Sequence, residues 1–241
     1  MIDLTGKCAI ITGASVGIGQ ATAEKFAELG CNLVLAARSF EKLEALKEKL
    51  GKKVEVLIFK CDVSDEQAVK DIVKKTVEHF GKIDILVNNA AIWRRWIPFA
   101  ETDSSMWKDY IDCNILGTMY FTHEVLPNML ENHYGRIINI GSVAGVYGNA
   151  LQVDYSMTKG AIISFTKALA KEVTGKGVLV NCVSPGSVSN RQDAPEESDL
   201  SFTGRTGTHT ENANLIAFLA SDEASYISGQ NYQVDGCRKK M

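Results

Sequence analysis

Tyr155 and Lys159 stand four residues apart in a stretch whose pattern predicts a helix over residues 152–174. Side chains at that spacing share one helix face. A lysine ammonium beside a phenol favours the phenolate, so this spacing predicts a lowered Tyr155 pKa. A phenol tuned in that way can give a proton to a carbonyl oxygen, or take one from an alcohol, near neutral pH. Two more polar residues belong with the pair. Ser142 follows a strand-like run, and Asn114 sits inside a long helical pattern over 103–130. Asn is a mediocre helix-interior residue because its amide competes for backbone groups, and Gly117 weakens the same turn. Each residue alone has an ordinary explanation: Ser142 as a strand end, Tyr155 as packing, Lys159 as a solvated charge.

The elements that must position these groups alternate along the chain. Short apolar runs begin at Cys8, Asn32, Val54, Ile83, Arg136 and Val178, with a seventh at Asn231. Helical patterns cover 17–29, 40–50, 65–80, 103–130 and 152–174 between them. Strands apolar on both faces and alternating with helices predict a parallel sheet covered on both sides. There is no internal linker or composition shift, so one domain is expected over 1–241. The polar stretch 186–210 breaks the rhythm and reads as a lid.

Ligands of an open parallel sheet bind beyond the carboxyl ends of its strands. After the first strand comes the turn TGASVGIG, with Gly13, Gly17 and Gly19, leading into a helix whose N-terminal amides suit a phosphate. After the second comes Ala37-Arg38, where a dinucleotide fold selecting NAD usually has an acid. The missing acid and the arginine both point to NADP, with NAD as the alternative. After the third, Asp62 is placed to meet an adenine amino group, and Ser64 or Asp65 to cap the next helix. After the fourth, the asparagines of Asn88-Asn89-Ala90-Ala91 serve either to tie neighbouring loops or to touch the cofactor.

This ordered set resembles the short-chain dehydrogenase/reductase family over nearly the whole chain. The residues that carry the resemblance are Thr12 to Gly19, Asp62, Asn88 to Ala90, Asn114, Ser142, Tyr155, Lys159, Pro185-Gly186 and the closing SDEASYISGQ and VDG. It implies a Rossmann-type doubly wound parallel seven-stranded sheet in the order 3-2-1-4-5-6-7, a nicotinamide cofactor, and a homotetramer or homodimer. By resemblance Asn114, Ser142, Tyr155 and Lys159 form the catalytic set. Lys159 also holds the nicotinamide ribose, Ser142 steadies the substrate oxygen, and Asn114 holds a water for reprotonation. Thr12, Ser15 and Ile18 fall at the pyrophosphate, Asn88 at the adenosine ribose and Val188 at the carboxamide. Gly13, Gly17, Gly19, Ser39, Val63, Ala90, Pro185 and Gly186 complete the expected cofactor contacts. The chain departs from the family pattern at Ala91, Asn190 and Cys237.

Composition limits the partners. A net charge of −3 and a pI of about 5.9 argue against nucleic acid. No apolar run approaches the roughly 20 residues of a membrane span, and none suits a signal peptide. Six scattered cysteines read as reduced thiols of a cytoplasmic protein, and the four histidines make no metal cluster. The substrate is expected to be a ketone or secondary alcohol. The segment Trp93-Arg94-Arg95-Trp96 reads either as a structural loop or as a rim favouring a bulky substrate with an anionic arm, such as a hydroxysteroid or a 3-oxoacyl thioester. Alternatives are a sugar or polyol dehydrogenase using NAD(H) and a non-catalytic dinucleotide-binding regulator.

Overall fold

The computed structural model describes residues 2–93, 96–189 and 194–239. Seven parallel strands form one sheet in the order β3-β2-β1-β4-β5-β6-β7. They are β1 (Cys8–Thr12), β2 (Asn32–Ala37), β3 (Val56–Lys60), β4 (Ile85–Asn88), β5 (Gly135–Ile140), β6 (Val178–Pro185) and β7 (Asn231–Val234). Every residue of β1, β4, β5 and β6 is buried, which is why these strands read as unbroken apolar runs. The helices are α1 (Gly17–Glu28), α2 (Phe40–Leu50), α3 (Glu66–Phe80), α4 (Ser104–Tyr110), α5 (Gly117–Glu131), α6 (Ala144–Tyr147), α7 (Val153–Val173) and α8 (His209–Ala220).

Side-chain alternation along the strands splits the core into two layers. On one face Ile11, Leu33, Leu35, Val87 and Ile138 meet Phe26 of α1, Leu43 of α2 and Ile216 and Ala220 of α8. On the other Ile10, Val34, Leu86, Ile137 and Val180 meet Ile72 of α3, Phe121 and Val125 of α5 and Val173 of α7. Helices therefore cover both faces, as the Rossmann expectation requires. Phe121 is fully buried in this second layer. Met119 two positions away is exposed.

Two features differ from the sequence expectation. Residues 103–130 do not form one helix: α4 and α5 are separated by a π-helical turn, Ile111–Leu116, with Asn114 inside it. The last residues of the expected lid begin α8, which sequence periodicity had not marked. Thr208 and Glu211 form a capping box at its start. Of Ser64 and Asp65, Asp65 is the cap of α3, accepting from Gln67 N at 3.0 Å and Ala68 N at 3.1 Å.

The glycine turn after β1 is dictated by packing. Gly13 and Gly17 have positive φ, 64° and 63°. Gly19 lies against Gly13 O, and a Cβ there would stand 2.5 Å from Asn89 Nδ2. Gly19→Ala is therefore expected to cost about 1–3 kcal/mol of stability through overpacking of the β1–β4 loop contact, read as a shift in the denaturation midpoint. An unchanged midpoint would show that the loop can relax around the methyl group.

Candidate active site

The carboxyl edge of the sheet carries three adjoining clefts. The first, of about 280 Å³, is walled by Gly13, Ser15, Ala37, Arg38, Ser39, Lys42, Asp62, Val63 and Ala90 among others. The second, of about 370 Å³, is walled by Gly17, Ile18, Ser142, Tyr155, Lys159, Pro185, Gly186, Val188 and His209 among others, and it shares Asn89 and Ala91 with the first. The third, of about 500 Å³, shares Trp93, Ser142, Tyr155, Gly186 and Val188 with the second and adds Trp96, Gln152, Leu200 and Arg238. Residues from the ends of β1 to β6 thus line one continuous series of openings.

Lys159 is buried at 3% exposure, and its Nζ donates to Ile140 O at 2.6 Å. Among the described residues no carboxylate offsets the charge there, and burial lowers its pKa from the ordinary 10.5 to about 8. The ammonium lies 5.8 Å from the centre of the Tyr155 ring. It does not lower the phenol in this chain. Burial, with a smaller push from Tyr110, raises Tyr155 to about 12, and a hydrogen bond with Ser142 only partly opposes it. The expected depression of Tyr155 is corrected accordingly: both partners are desolvated, and each is pushed toward its neutral form. Ser142 Oγ also accepts from Ala144 N at 3.1 Å, which fixes the turn between β5 and α6.

Asn114 acts as a clamp. Its Oδ1 accepts from Ile92 N at 2.8 Å, while its Nδ2 donates to Ile92 O and to Thr158 Oγ1, both at 3.2 Å. The side chain is thereby engaged with protein groups, binding the loop after β4 to α7 one residue before Lys159. The π turn widens the helix so that Asn114 can reach both, a common use of such turns at functional sites. Gly117 follows because a Cβ there would lie 2.5 Å from Val63 Cγ2, drawing α5 against the first cleft.

Several expected cofactor residues have inward side chains. Thr12 is buried; its Oγ1 accepts from Asn89 N and Ala90 N, both at 3.0 Å, so it ties loops together and lines none of the three clefts. Asn88 is also buried, donating to Thr122 Oγ1 at 3.0 Å and Asn139 Oδ1 at 2.9 Å. Asn89, one step beyond the strand, is the asparagine that reaches the clefts, and it donates to Thr12 O at 2.9 Å. Arg94, Arg95 and Asn190 lie outside the described residues. Sequence reasoning missed Lys42, Gln152, Arg238 and His209, and it left Asn89 open between tying loops and touching the cofactor. Ala91 takes no positive φ, so the lost glycine causes no strain there, whereas Cys237 does, at 58°.

A family model for short chain dehydrogenases matches residues 7–200. The chain belongs to the short-chain dehydrogenase/reductase family. It is 39% identical over 241 residues to the 3-oxoacyl-[acyl-carrier-protein] reductase FabG of Thermotoga maritima, covering 97% of this chain and 98% of that one. It is 40% identical over 239 residues to the Staphylococcus aureus protein of the same name, covering 95% and 97%. It is 37% identical over 243 residues to nodulation protein G of a Rhizobium species, covering 98% of each. As a short-chain dehydrogenase/reductase it is an oxidoreductase acting on the CH–OH group of donors with a nicotinamide dinucleotide as acceptor. Among the described residues no helix is long and apolar enough to cross a membrane, and no His, Cys, Asp and Glu cluster could hold a metal ion.

The buried ammonium gives a stability prediction. Lys159 takes up its proton at lower pH folded than unfolded, so the folded chain binds fewer protons between about pH 8 and 10.5. Its cost to stability is fully present below about pH 8 and fades as the pH rises to 10.5. Lys159→Met is expected to stabilise the cofactor-free protein at pH 7 by about 1–3 kcal/mol, with the gain shrinking toward pH 10. Denaturant titrations at both pH values check it; a destabilised variant at pH 7 would count against the unpaired charge.

Proposed function

We propose that this enzyme is an NADP(H)-dependent reductase of ketones, with Tyr155 as the proton donor and a 3-oxoacyl thioester as the leading substrate. The observation that carries this reading is the sharing of Ser142 and Tyr155 by the second and third clefts, with Lys159 beneath them. The cofactor fits the first two clefts in chemistry. The N-terminus of α1 has no side-chain cap and no acidic residue in its first turn, so its amides suit a pyrophosphate together with Ser15 and Ile18. Arg38 and Lys42 stand at the mouth of α2, whose Ser39 makes no capping bond, a combination suited to a 2′-phosphate. Asp62 accepts from Ser64 Oγ at 2.7 Å and lines the first cleft, where a carboxylate suits the adenine amino group. Val63, Ala90, Pro185, Gly186 and Val188 supply walls.

The cofactor, when bound, supplies the hydride. Ser142 Oγ holds the substrate oxygen and Tyr155 Oη gives it a proton. Lys159 sits four residues along the same helix with a pKa near 8, so it is poised to restore the proton at physiological pH. Asn114 keeps α7 and the loop after β4 in register, which holds Lys159 and Tyr155 under the clefts. The apolar walls contributed by Trp93, Trp96 and Leu200 suit an acyl chain, and the names of the two FabG relatives support that class. The described residues 194–207 serve as a lid over the third cleft of this one catalytic domain, with Leu200 in its wall. Exposed Met119 and half-buried Phe165 support pairing of α5 and α7 across a two-fold axis in a dimer or tetramer.

Two tests separate the parts of this reading. Tyr155→Phe keeps the ring and removes the proton; NADPH oxidation with a 3-oxoacyl thioester is expected to fall by about 10² to 10⁴, with cofactor binding retained. Wild-type turnover in this variant would refute the assignment. Arg38→Asp is expected to raise the KM for NADPH by about 10- to 100-fold and to improve the relative use of NADH. A native preference for NADH would end the 2′-phosphate assignment.

A further inference from the structure

Two donors in the third cleft are not accounted for by proton transfer. Gln152 is 1% exposed, and its Nε2 has no hydrogen-bond partner although its Oε1 accepts from Asn149 Nδ2 at 3.1 Å. A buried amide donor left unmet costs free energy, and such exceptions mark places where a ligand completes the site. Arg238 is the second donor. Its guanidinium lines the same cleft, touches Asn149 Oδ1 at 3.5 Å, and forms no ion pair with any described residue. Among the described lining residues Arg238 is the one charged side chain, and no carboxylate faces it.

The arginine is held by the fold. Beyond β7 the chain meets residues 200–202 in an isolated antiparallel bridge, with Ser201 opposite Arg238. Phe202 N donates to Cys237 O at 3.0 Å and Lys239 N donates to Leu200 O at 2.9 Å. These backbone bonds flank Arg238 on both sides, so its direction does not depend on its own side chain. The preceding residue, Cys237, is held at a φ of 58°, a conformation costly for a residue with a Cβ. Such strain persists where the surroundings over-determine the backbone.

We infer that Arg238 and Gln152 form a subsite for a second acceptor oxygen on the substrate, beside the ketone that Ser142 and Tyr155 receive. The chemistry is a 3-oxo acyl group whose second oxygen is either a free carboxylate or a thioester carbonyl. This inference rests on the proposed ketone reduction for its orientation. It adds that the enzyme selects 1,3-dioxygenated substrates over simple ketones. A guanidinium gives most to an anionic acceptor, so the free acid gains more than the thioester.

The test uses three substrates with wild type and Arg238→Met, which keeps the backbone ladder and the side-chain length. They are 3-oxooctanoate, its N-acetylcysteamine thioester, and 2-heptanone, which lacks the second oxygen. KM is measured with NADPH, and binding is followed separately by quenching of tryptophan fluorescence, since Trp93 and Trp96 line the cleft. The KM and the dissociation constant for the acid are expected to rise about 10- to 100-fold in the variant, with 2-heptanone changing less than threefold. A large effect on the acid alone assigns the subsite to a carboxylate; an effect on acid and thioester together assigns it to either oxygen. Equal effects on all three substrates, or none on any, overturn the inference while leaving ketone reduction standing. Arg238-dependent binding without turnover in the wild type would instead keep the subsite and refute the reduction. Absence of both binding and turnover refutes both.

Discussion

The site is organised by one costly act, the burial of the Lys159 ammonium against a single backbone oxygen. Ile140 O accepts one hydrogen bond from its Nζ at 2.6 Å, and no described carboxylate pairs with it. A charge in that position is tolerable only if the protein around it is rigid, because relaxation toward water would relieve the cost. The surroundings are rigid in an identifiable way. β5 supplies the carbonyl from the middle of the sheet, and Gly145 packs against the Lys159 backbone so closely that a Cβ would meet Lys159 C at 2.5 Å. Asn114 fastens α7 to the loop after β4 through Thr158 and Ile92. The stability lost at Lys159 is what the proton-handling role proposed for it would require, since an ammonium with the usual pKa would be a poor donor and acceptor at neutral pH.

The same logic extends outward along the sheet edge. Thr12, Asn89, Gly13 and Gly19 lock the loops after β1 and β4 onto each other, and Asn88, Thr122, Asn139 and Thr166 join β4 and β5 to α5 and α7 beneath them. These polar groups lie inside the layer and spend their hydrogen bonds on backbone position. The groups that line the clefts stand at loop tips and helix starts: Ser15, Arg38, Ser142, Tyr155 in the first turn of α7, and the residues opening α1 and α2. A division of labour between adjacent residues follows, as with Asn88 and Asn89.

The parallel strands and both helical layers were legible in the sequence because fully buried parallel strands leave unbroken apolar runs and the intervening helices are amphipathic, whereas the strand order was what the family resemblance implied. α8 was not legible by periodicity. Its segment ANLIAFLA is apolar on most sides because it packs against both α1 and the sheet, and only the Thr208–Glu211 capping box announces it. The π turn at Asn114 left a weaker trace, an unsuitable Asn and a Gly three residues on, which flagged a disturbed helix without its form. At the site, Tyr155, Ser142 and Arg38 line the clefts, with buried Lys159 beneath them. Thr12 and Asn88 do not, because the last side chains of β1 and β4 alternate into the protein, and the direction of alternation is set by tertiary packing. The Tyr155 pKa was misjudged from the i, i+4 rule because that rule omits burial, which acts on both members of the pair. Arg238 was out of reach for any local reading, since the lid and the C-terminus meet only in the fold.

The most direct test of the account is the titration of the Lys159 amine itself, followed by NMR in the cofactor-free protein with ¹⁵N-labelled lysine and assigned through Lys159→Met. The account predicts one amine that titrates near pH 8, well apart from the remaining lysines and lost in the variant. A Lys159 resonance titrating near 10.5 with the others would contradict it, because the ammonium would then be solvated or paired and the site would not be organised around a buried charge.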